Sequence, residues 1–204
     1  MGKSDNRMNY LFISAHTDDA EFGAGATISR LIEEGNVVNI VAFSYCGIKK
    51  LKHQMLISCR SLGVNGKIII LNNKVRFFHK NRQGILDAMI SIKKKIDIDT
   101  VFIFSQHDIH QDHKVIYEET LRAFKNINIY GYDFPHNHFK FSPNLFFKIG
   151  KRHLDKKILA LKEYKSQQHR PYMDVEFIVS NAIYRGLQAG CKYAECFEVI
   201  RQIV

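Results

Sequence analysis

The chain has 204 residues, 46% of them hydrophobic, which suffices for a compact domain with a sizeable core. It contains no apolar run long enough to cross a membrane as a helix, and residues 1–8 are polar and lack the apolar segment of a signal peptide. The formal net charge is +10, but the lysines are dispersed and no nucleic-acid-binding motif accompanies them, so we expect no nucleic-acid partner.

Apolar segments alternate with amphipathic segments along the first two-thirds of the chain. The predicted strands are 10–14, 37–43, 67–71, 100–104 and 127–132. The predicted helices between them are 24–34, 51–62, 83–95 and 114–124. This alternation is typical of an α/β fold, a parallel sheet with helices on both faces.

The last third of the chain has a different pattern. A loop bounded by Pro135 and Pro143 precedes predicted helices at 155–165 and 175–189 and a closing strand at 193–200. No linker long enough to separate two units is present, so we expect one domain over 1–204.

Two polar clusters each follow a predicted strand. The first strand leads directly into one histidine and three carboxylates: His16, Asp18, Asp19 and Glu21. The fourth strand leads into residues 107–113, which alternate histidine with aspartate. Ligands of open α/β sheets bind at the carboxyl ends of the strands, so the two clusters together predict a metal site.

The first cluster has the spacing of a catalytic zinc site. Such a site uses three protein ligands, imidazoles or carboxylates, and a water. His16 and Asp19 are three residues apart, which brings both side chains to one face at the start of a helix. Asp18 then points elsewhere and could remove a proton from the water.

The second cluster holds more histidines than one metal needs. His113 would supply the third ligand, and His110 could then protonate the leaving group or stabilise an oxyanion. If His110 acts while protonated, activity should fall at high pH, and the sequence leaves the direction of its pKa shift open. Asp112 could accept a hydrogen bond from one of the site histidines.

Each cluster also has a simpler interpretation. An aspartate in the first turn of a helix commonly caps that helix, although two such motifs at two strand ends argue against capping alone. The run Gly23-Ala24-Gly25 is part of a dinucleotide-binding pattern, but the third glycine is missing. We therefore interpret these glycines as tight packing of a helix on a strand.

Both clusters resemble motifs of one family. Residues 15–25, AHTDDAEFGAG, are similar to the AHPDDxExGxGG signature of the PIG-L/LmbE family, and residues 108–113, DIHQDH, are similar to its DxHxDH motif. The resemblance implies a Rossmann-like fold and a zinc-dependent N-deacetylase acting on N-acetylglucosamine-type sugars. Late segments such as 164–167 and 193–199 also resemble the family.

The resemblance carries residue roles over by motif position. Three residues match the zinc ligands: His16, Asp19 and His113. Asp18 matches the general base, and His110 matches the histidine that acts as acid or oxyanion stabiliser. Asp112 matches the hydrogen-bond partner of His110 or of His113.

The substrate side departs from the family pattern. Family members often carry an Arg and a Glu early in the second helix, where the Arg contacts substrate, but this chain has Leu51, Lys52, His53 and Gln54 there. Lys52 could replace that charge but not its bidentate geometry. Thr17 replaces the usual proline and removes no ligand.

Four further residues have open roles. Arg76 and Arg82 could hold a phosphate or form a solvated basic face. His136 and His138 lie in the loop bounded by the two prolines, which could cover the site or be an ordinary surface loop.

We therefore expect hydrolysis of the acetamide of an N-acetyl amino sugar, free or linked to a nucleotide or lipid carrier, in surface-glycan or related biosynthesis. One alternative is an amidase acting on a non-sugar N-acyl group. Another is a non-catalytic nucleotide-binding module, although the carboxylates of the first loop would repel a pyrophosphate. The four cysteines form no CxxC pair, so we expect reduced thiols and a cytoplasmic location; a homo-oligomer stays open.

Overall fold

The computed structural model describes residues 7–204, so most of the polar segment weighed for a signal peptide lies outside it. Within the described residues the strands are β1 Asn9–Ser14, β2 Val37–Ala42, β3 Ile68–Ile70, β4 Thr100–Phe104, β5 Asn128–Tyr132, β6 Leu145–Lys148 and β7 Ala194–Arg201. The α-helices are α1 Asp19–Glu33, α2 Lys49–Leu62, α3 Arg82–Lys95, α4 Gln111–Ala123, α5 Lys151–Lys162 and α6 Val175–Gln188. Short 3-10 helices occupy Phe78–Asn81 and Pro171–Met173.

These strands form one sheet in the order β3-β2-β1-β4-β5-β7-β6. The strands from β3 to β5 are parallel, whereas β7 is antiparallel to both β5 and β6. The predicted α/β class is therefore confirmed, with an antiparallel extension at one edge. We did not predict β6, because its four residues follow Pro143 and are ordered as a strand only by pairing with β7.

Helices cover the sheet in two groups. One group consists of α1, α2 and α5, which contact one another, with α6 against α5 and β7, and the other consists of α3 and α4. Between helices and sheet lies an apolar core in which the rings of Phe12 and Phe102 stack with centroids 4.4 Å apart. None of the helices in residues 7–204 is both long and apolar enough to span a bilayer.

The first helix begins earlier than predicted. It starts at Asp19 rather than at residue 24, but Ala24 interrupts it with φ −148° and ψ 16°. The backbone N–H groups that this break exposes are taken up by Glu195 of β7, which accepts from Ala26 N at 3.3 Å and Thr27 N at 2.6 Å. A distant carboxylate thus caps the second half of α1.

The glycines near this break allow close packing, as predicted. A Cβ on Gly23 would lie 2.8 Å from the Tyr132 ring, and one on Gly25 would lie 2.9 Å from Lys157 Cγ. The predicted packing of a helix on a strand is therefore confirmed for Gly23, which lies against β5, whereas Gly25 packs on the helix α5.

We expect Lys157→Met to destabilise the fold by about 3 kcal/mol, because it leaves the buried Glu195 without its ion-pair partner. Lys157 Nζ lies 2.6 Å from Glu195 Oε1, and both side chains are more than nine-tenths buried. Urea unfolding followed by circular dichroism measures the loss. Lys156→Met, at the exposed neighbouring position, is the control and should change stability by less than about 0.5 kcal/mol. Equal effects of the two substitutions would contradict the role of the pair.

Candidate active site

The two polar clusters meet at one end of the sheet. They follow β1 and β4, which are adjacent parallel strands although the chain forms β2 and β3 between them. The strand order reverses here, and ligands of open α/β sheets bind at such a switch point. The loops enclose a cavity of about 390 Å³ whose wall includes His16, Asp18, Asp19, His110 and His113.

Asp19 lies between His16 and His113. Its Oδ2 is 3.6 Å from His16 Nδ1, and its Oδ1 is 3.7 Å from His113 Nε2. Neighbouring ligand atoms around tetrahedral zinc are roughly 3.4 Å apart, given bonds of about 2.0–2.1 Å. The backbone N–H of His16 donates to Asp19 Oδ2 at 2.7 Å, which holds this carboxylate in place.

In each of these two histidines, the ring nitrogen that does not face Asp19 contacts a different carboxylate. His113 Nδ1 lies 2.7 Å from Asp108 Oδ2, and His16 Nε2 lies 3.3 Å from Asp112 Oδ2. Metal-binding histidines almost always donate their second N–H in this way, which orients the ring and raises its basicity. In the neutral form of each ring, the other nitrogens, His16 Nδ1 and His113 Nε2, then carry no proton and face Asp19.

This arrangement corrects the expected position of Asp112. We expected it beside His110 or His113, but its carboxylate contacts His16 and accepts the backbone N–H of Arg76 at 2.7 Å. Asp108 takes the place beside His113. The sequence could not separate the two aspartates, because both lie within five residues of His113 and only the turn before α4 decides which one reaches the ring.

His110 belongs to the same cluster but bonds differently. One nitrogen from each of His16, His110 and His113 lies within 4.8 Å of the others, so distance alone would admit all three as ligands. However, His110 Nδ1 accepts the Asp112 backbone N–H at 3.2 Å as the N-cap of α4. Its proton therefore resides on Nε2, which suits a hydrogen-bond donor and not a metal ligand.

The charges around His16 and Asp19 fit a cation. Burial acts to lower the pKa of His16, but its contacts with Asp112 and Asp19 outweigh burial and raise that pKa to about 10. Burial acts to raise the pKa of Asp19, but the facing His113 and His16 lower it to about 2. A positive charge is thus stabilised among these side chains, and the donor set of two imidazoles and a carboxylate suits a divalent metal ion.

Asp18 occupies the N-cap position of α1, but its side chain makes no capping hydrogen bond. The capping alternative therefore fails for this residue. Its carboxyl group borders the cavity, and burial, followed by the charge of Asp19, raises the pKa of Asp18 to about 6. A carboxyl group with such a pKa can accept a proton from water near neutral pH.

Tyr164 supports the backbone between His16 and Asp18. Its hydroxyl contacts the Thr17 carbonyl and lies 2.7 Å from Glu21 Oε1. One hydroxyl proton cannot serve two acceptors, but a protonated Glu21 can donate to Tyr164 while Tyr164 donates to Thr17. This agrees with complete burial, which raises the pKa of Glu21 to about 7. Glu21 therefore supports the loop and does not reach the cavity.

The cavity wall contains residues that the sequence analysis did not assign. Arg170 and Gln167 border it from the segment after α5, and Tyr172 adds an aromatic face on which His136 stacks at 4.4 Å. Phe22 meets His136 edge-on at 5.3 Å. No local signal marks Arg170, because it lies outside both motifs and reaches the cavity only through the tertiary fold.

The residues with open roles separate clearly. Arg76 and His136 border the cavity, so both remain candidates for substrate contact. Arg82 instead pairs with Glu118 and Glu119. His138 lies 3.0 Å from the buried Asp133 and anchors its loop. Arg82 and His138 are thus structural.

Lys52 does not replace the family arginine. It is exposed on α2 with its Nζ 5.9 Å from the Tyr45 ring, outside the set of residues that line the cavity. Leu51 and Ile48 form that part of the wall instead.

Comparison with known proteins places the chain in a family. A sequence profile of PIG-L, described as GlcNAc-PI de-N-acetylase, matches residues 11–124. The chain is also 28% identical over 177 residues to the protein named uncharacterized deacetylase YaiS of Escherichia coli strain K12, covering 81% of this chain and 95% of that protein.

Two solved structures are similar in fold. One is N,N'-diacetylchitobiose deacetylase from Pyrococcus horikoshii, with 20% identity, a TM-score of 0.76 and coverage of 96% of this chain and 84% of that chain. The other is GalB, the 4-carboxy-2-hydroxymuconate hydratase from Pseudomonas putida KT2440, with 18% identity, a TM-score of 0.76 and coverage of 97% and 98%. The profile match spans more than half of the chain and contains both polar clusters. The chain therefore belongs to the PIG-L family of metal-dependent deacetylases.

Proposed function

We propose that this deacetylase uses zinc to hydrolyse the acetamide of an N-acetyl amino sugar, releasing acetate and a free amine. The observation that carries this proposal is the joint geometry of Asp19, His16 and His113, with Asp18 and His110 beside them on the same cavity wall. A site that hydrolyses an amide with a metal needs ligands for the cation, a base for the water and a hydrogen-bond donor for the oxyanion, and each has a candidate here.

The proposed metal ligands are His16 through Nδ1, Asp19 and His113 through Nε2. When bound, a divalent ion supplies Lewis acidity to the carbonyl and lowers the pKa of water. Asp112 and Asp108 hold the two imidazoles in the required tautomer.

The proposed reaction assigns one task to each neighbouring group. Asp18 takes the proton of the attacking water as the carbonyl becomes tetrahedral. His110 donates its Nε2–H to the oxyanion that forms. Asp18 then returns the proton to the departing nitrogen, and the C–N bond breaks to leave acetate and amine.

His110 acts as a neutral donor in this proposal, which corrects our expectation of a protonated imidazole. Burial, together with the facing His113 and His16, lowers the pKa of His110 to about 4. A group that is already neutral at pH 7 cannot produce a loss of activity at high pH. In this proposal His110 therefore produces no alkaline limb.

The pH–rate profile should instead show an acid limb that belongs to Asp18. A base works only when deprotonated, so kcat/KM should fall as the pH drops through the Asp18 pKa, which burial raises to about 6. A bound cation favours the carboxylate, so the midpoint should lie at or below about 6. Constant kcat/KM down to about pH 4, where an unperturbed aspartate titrates, would contradict the raised pKa of Asp18 and the assignment of this limb to it.

His110→Ala should retain the metal and lower kcat by about a hundredfold to a thousandfold, the usual cost of removing one oxyanion donor. Metal analysis and single-turnover acetate release measure the two effects. His107→Ala, in the same loop but about one-third exposed, is the matched control and should keep both its metal and the wild-type kcat. Loss of the metal from His110→Ala would make His110 a ligand and not a donor.

The substrate class has rivals. The related fold of a hydratase shows that this architecture is not confined to one reaction, and a non-sugar N-acyl group would meet the same catalytic groups. Acetate release should therefore be measured over free, nucleotide-linked and lipid-linked acetamido sugars and over N-acetyl amino acids. Turnover of an acetamido sugar supports the proposal. Turnover of only the amino acids, or hydration of an alkene acid without acetate release, would overturn it.

We further propose a single catalytic domain over 1–204 in the cytoplasm. The C-terminal β7 pairs within the same sheet as β1, which supports one unit. The free thiols Cys46, Cys59, Cys191 and Cys196 support a reducing compartment.

A further inference from the structure

A second, more open cavity adjoins the catalytic one. It has a volume of about 520 Å³ and is bordered by Asn72, Asn73 and Lys74. Three residues border both cavities: Cys46, Val75 and Arg76. The two cavities are therefore adjacent at Arg76, and the second has room for a larger group attached to a sugar in the first.

Arg76 is held at this junction in a strained backbone conformation. Its φ is +65°, a value that non-glycine residues seldom adopt. Asp112 accepts its N–H at 2.7 Å and Gln111 Nε2 donates to its carbonyl at 3.2 Å, so hydrogen bonds on both sides maintain the strain. Cys46, on the same junction, has a φ of +58°. Strained residues of this kind cluster at ligand-binding positions.

The guanidinium groups of Arg76 and Arg170 at the cavity form no close ion pair within residues 7–204, although the charge of Arg170 acts on Asp18. Five arginines of the described chain form ion pairs: Arg30, Arg82, Arg122, Arg152 and Arg185. Arg201 instead donates to the Phe124 carbonyl at 2.8 Å, away from the cavity. Within residues 7–204, no carboxylate oxygen lies within 4.0 Å of a guanidinium nitrogen of Arg76 or Arg170. Arg170 donates to the Tyr172 hydroxyl at 2.8 Å, which leaves most of its N–H groups available. The first-loop carboxylates that would repel a pyrophosphate are partly compensated, since Asp19 faces His16 and His113, and two further cations beside the cavity then favour an anionic substrate.

We propose that Arg76 and Arg170 recognise a phosphate that joins the acetamido sugar to a larger carrier. The inference rests on the proposed deacetylase function and adds the substrate class to it. Phosphate is favoured over a carboxylate because a second cavity lies beside Arg76, and a bridging phosphate or diphosphate can extend the ligand toward it whereas a carboxylate ends it. Arg170 takes over the guanidinium that the second helix lacks at Lys52.

Binding measured without turnover tests the phosphate site itself. N-acetylglucosamine 1-phosphate and the neutral methyl glycoside of N-acetylglucosamine are titrated calorimetrically into metal-chelated protein, so that phosphate cannot gain affinity from a metal. The phosphate ligand should bind at least about tenfold more tightly. Arg76→Gln and Arg170→Gln should each remove most of that ratio. Arg60→Gln, which removes the same charge from an exposed position on α2, should preserve it. Equal affinity for both ligands, or a ratio that survives both cavity variants, would overturn the proposal.

Acetate release then separates this inference from the proposed function and identifies the carrier. Release from neutral and phosphorylated sugars at equal kcat/KM would retain the deacetylase and reject the phosphate site. A binding preference for phosphate without acetate release from any acetamido sugar would reject the deacetylase proposal and the substrate class that rests on it. A nucleotide diphosphate sugar and a short-chain polyprenyl diphosphate sugar form the two remaining arms. Higher kcat/KM for either than for the neutral sugar supports a bridging phosphate and tells the two carriers apart.

Discussion

Asp18→Asn is expected to lower kcat for acetate release by about a hundredfold to ten-thousandfold while the protein keeps its metal. An amide has the size and shape of the carboxylate but cannot accept the proton of the attacking water. Asp18 makes no capping hydrogen bond in α1, so the substitution should leave the fold unchanged. Metal content, thermal unfolding and kcat measured on the same preparation separate these effects.

The control for this substitution is Asp87→Asn, which removes the same charge from an exposed position on α3. It should alter neither metal content nor kcat. Near wild-type turnover in Asp18→Asn would remove Asp18 from the mechanism, and loss of metal would make it a ligand.

His113→Ala is expected to abolish stoichiometric metal binding and, with it, turnover. His113 is buried and oriented by Asp108 at 2.7 Å, so truncation removes a preorganised donor. His16→Ala and Asp19→Ala should have the same effect. Elemental analysis after dialysis against a weak chelator measures occupancy.

Asp108→Asn tests the same site by a partial loss of metal affinity. It retains a hydrogen-bond acceptor for His113 but removes the charge, so metal affinity should fall about tenfold to a hundredfold and not vanish. His53→Ala, on the exposed part of α2, is the control and should bind metal like the wild type. Full occupancy in His113→Ala would contradict the ligand assignment.

The alternation of apolar and amphipathic segments predicted most of the fold. The strand at Thr100–Phe104 was placed correctly, and the start of α1 was displaced because polar residues 16–21 look like a loop. Local pattern could not predict β6, whose order comes from pairing with β7, nor the capping of Ala26 and Thr27 by the distant Glu195. These features depend on contacts between segments far apart in sequence.

The parts of the site formed by residues close together in sequence were predictable, and the parts formed by the tertiary fold were not. Spacing brought His16 and Asp19 together correctly, since both lie at the start of one helix. That His113 joins them depends on β1 and β4 being neighbours, which the motif resemblance implied but periodicity could not show. Arg170 was missed for the same reason, because the loop after α5 returns to the cavity without any sequence signal.

The most direct measurement is an anomalous-scattering map of the zinc-loaded protein, collected at the zinc absorption edge. We predict one peak per chain, bonded to His16 Nδ1, a carboxylate oxygen of Asp19 and His113 Nε2 at about 2.0–2.2 Å. His110 Nε2 and the Asp18 carboxylate should lie outside bonding distance, on the cavity side. A peak bonded to His110, with His113 or Asp19 turned away, would contradict both the ligand set and the division of catalytic roles.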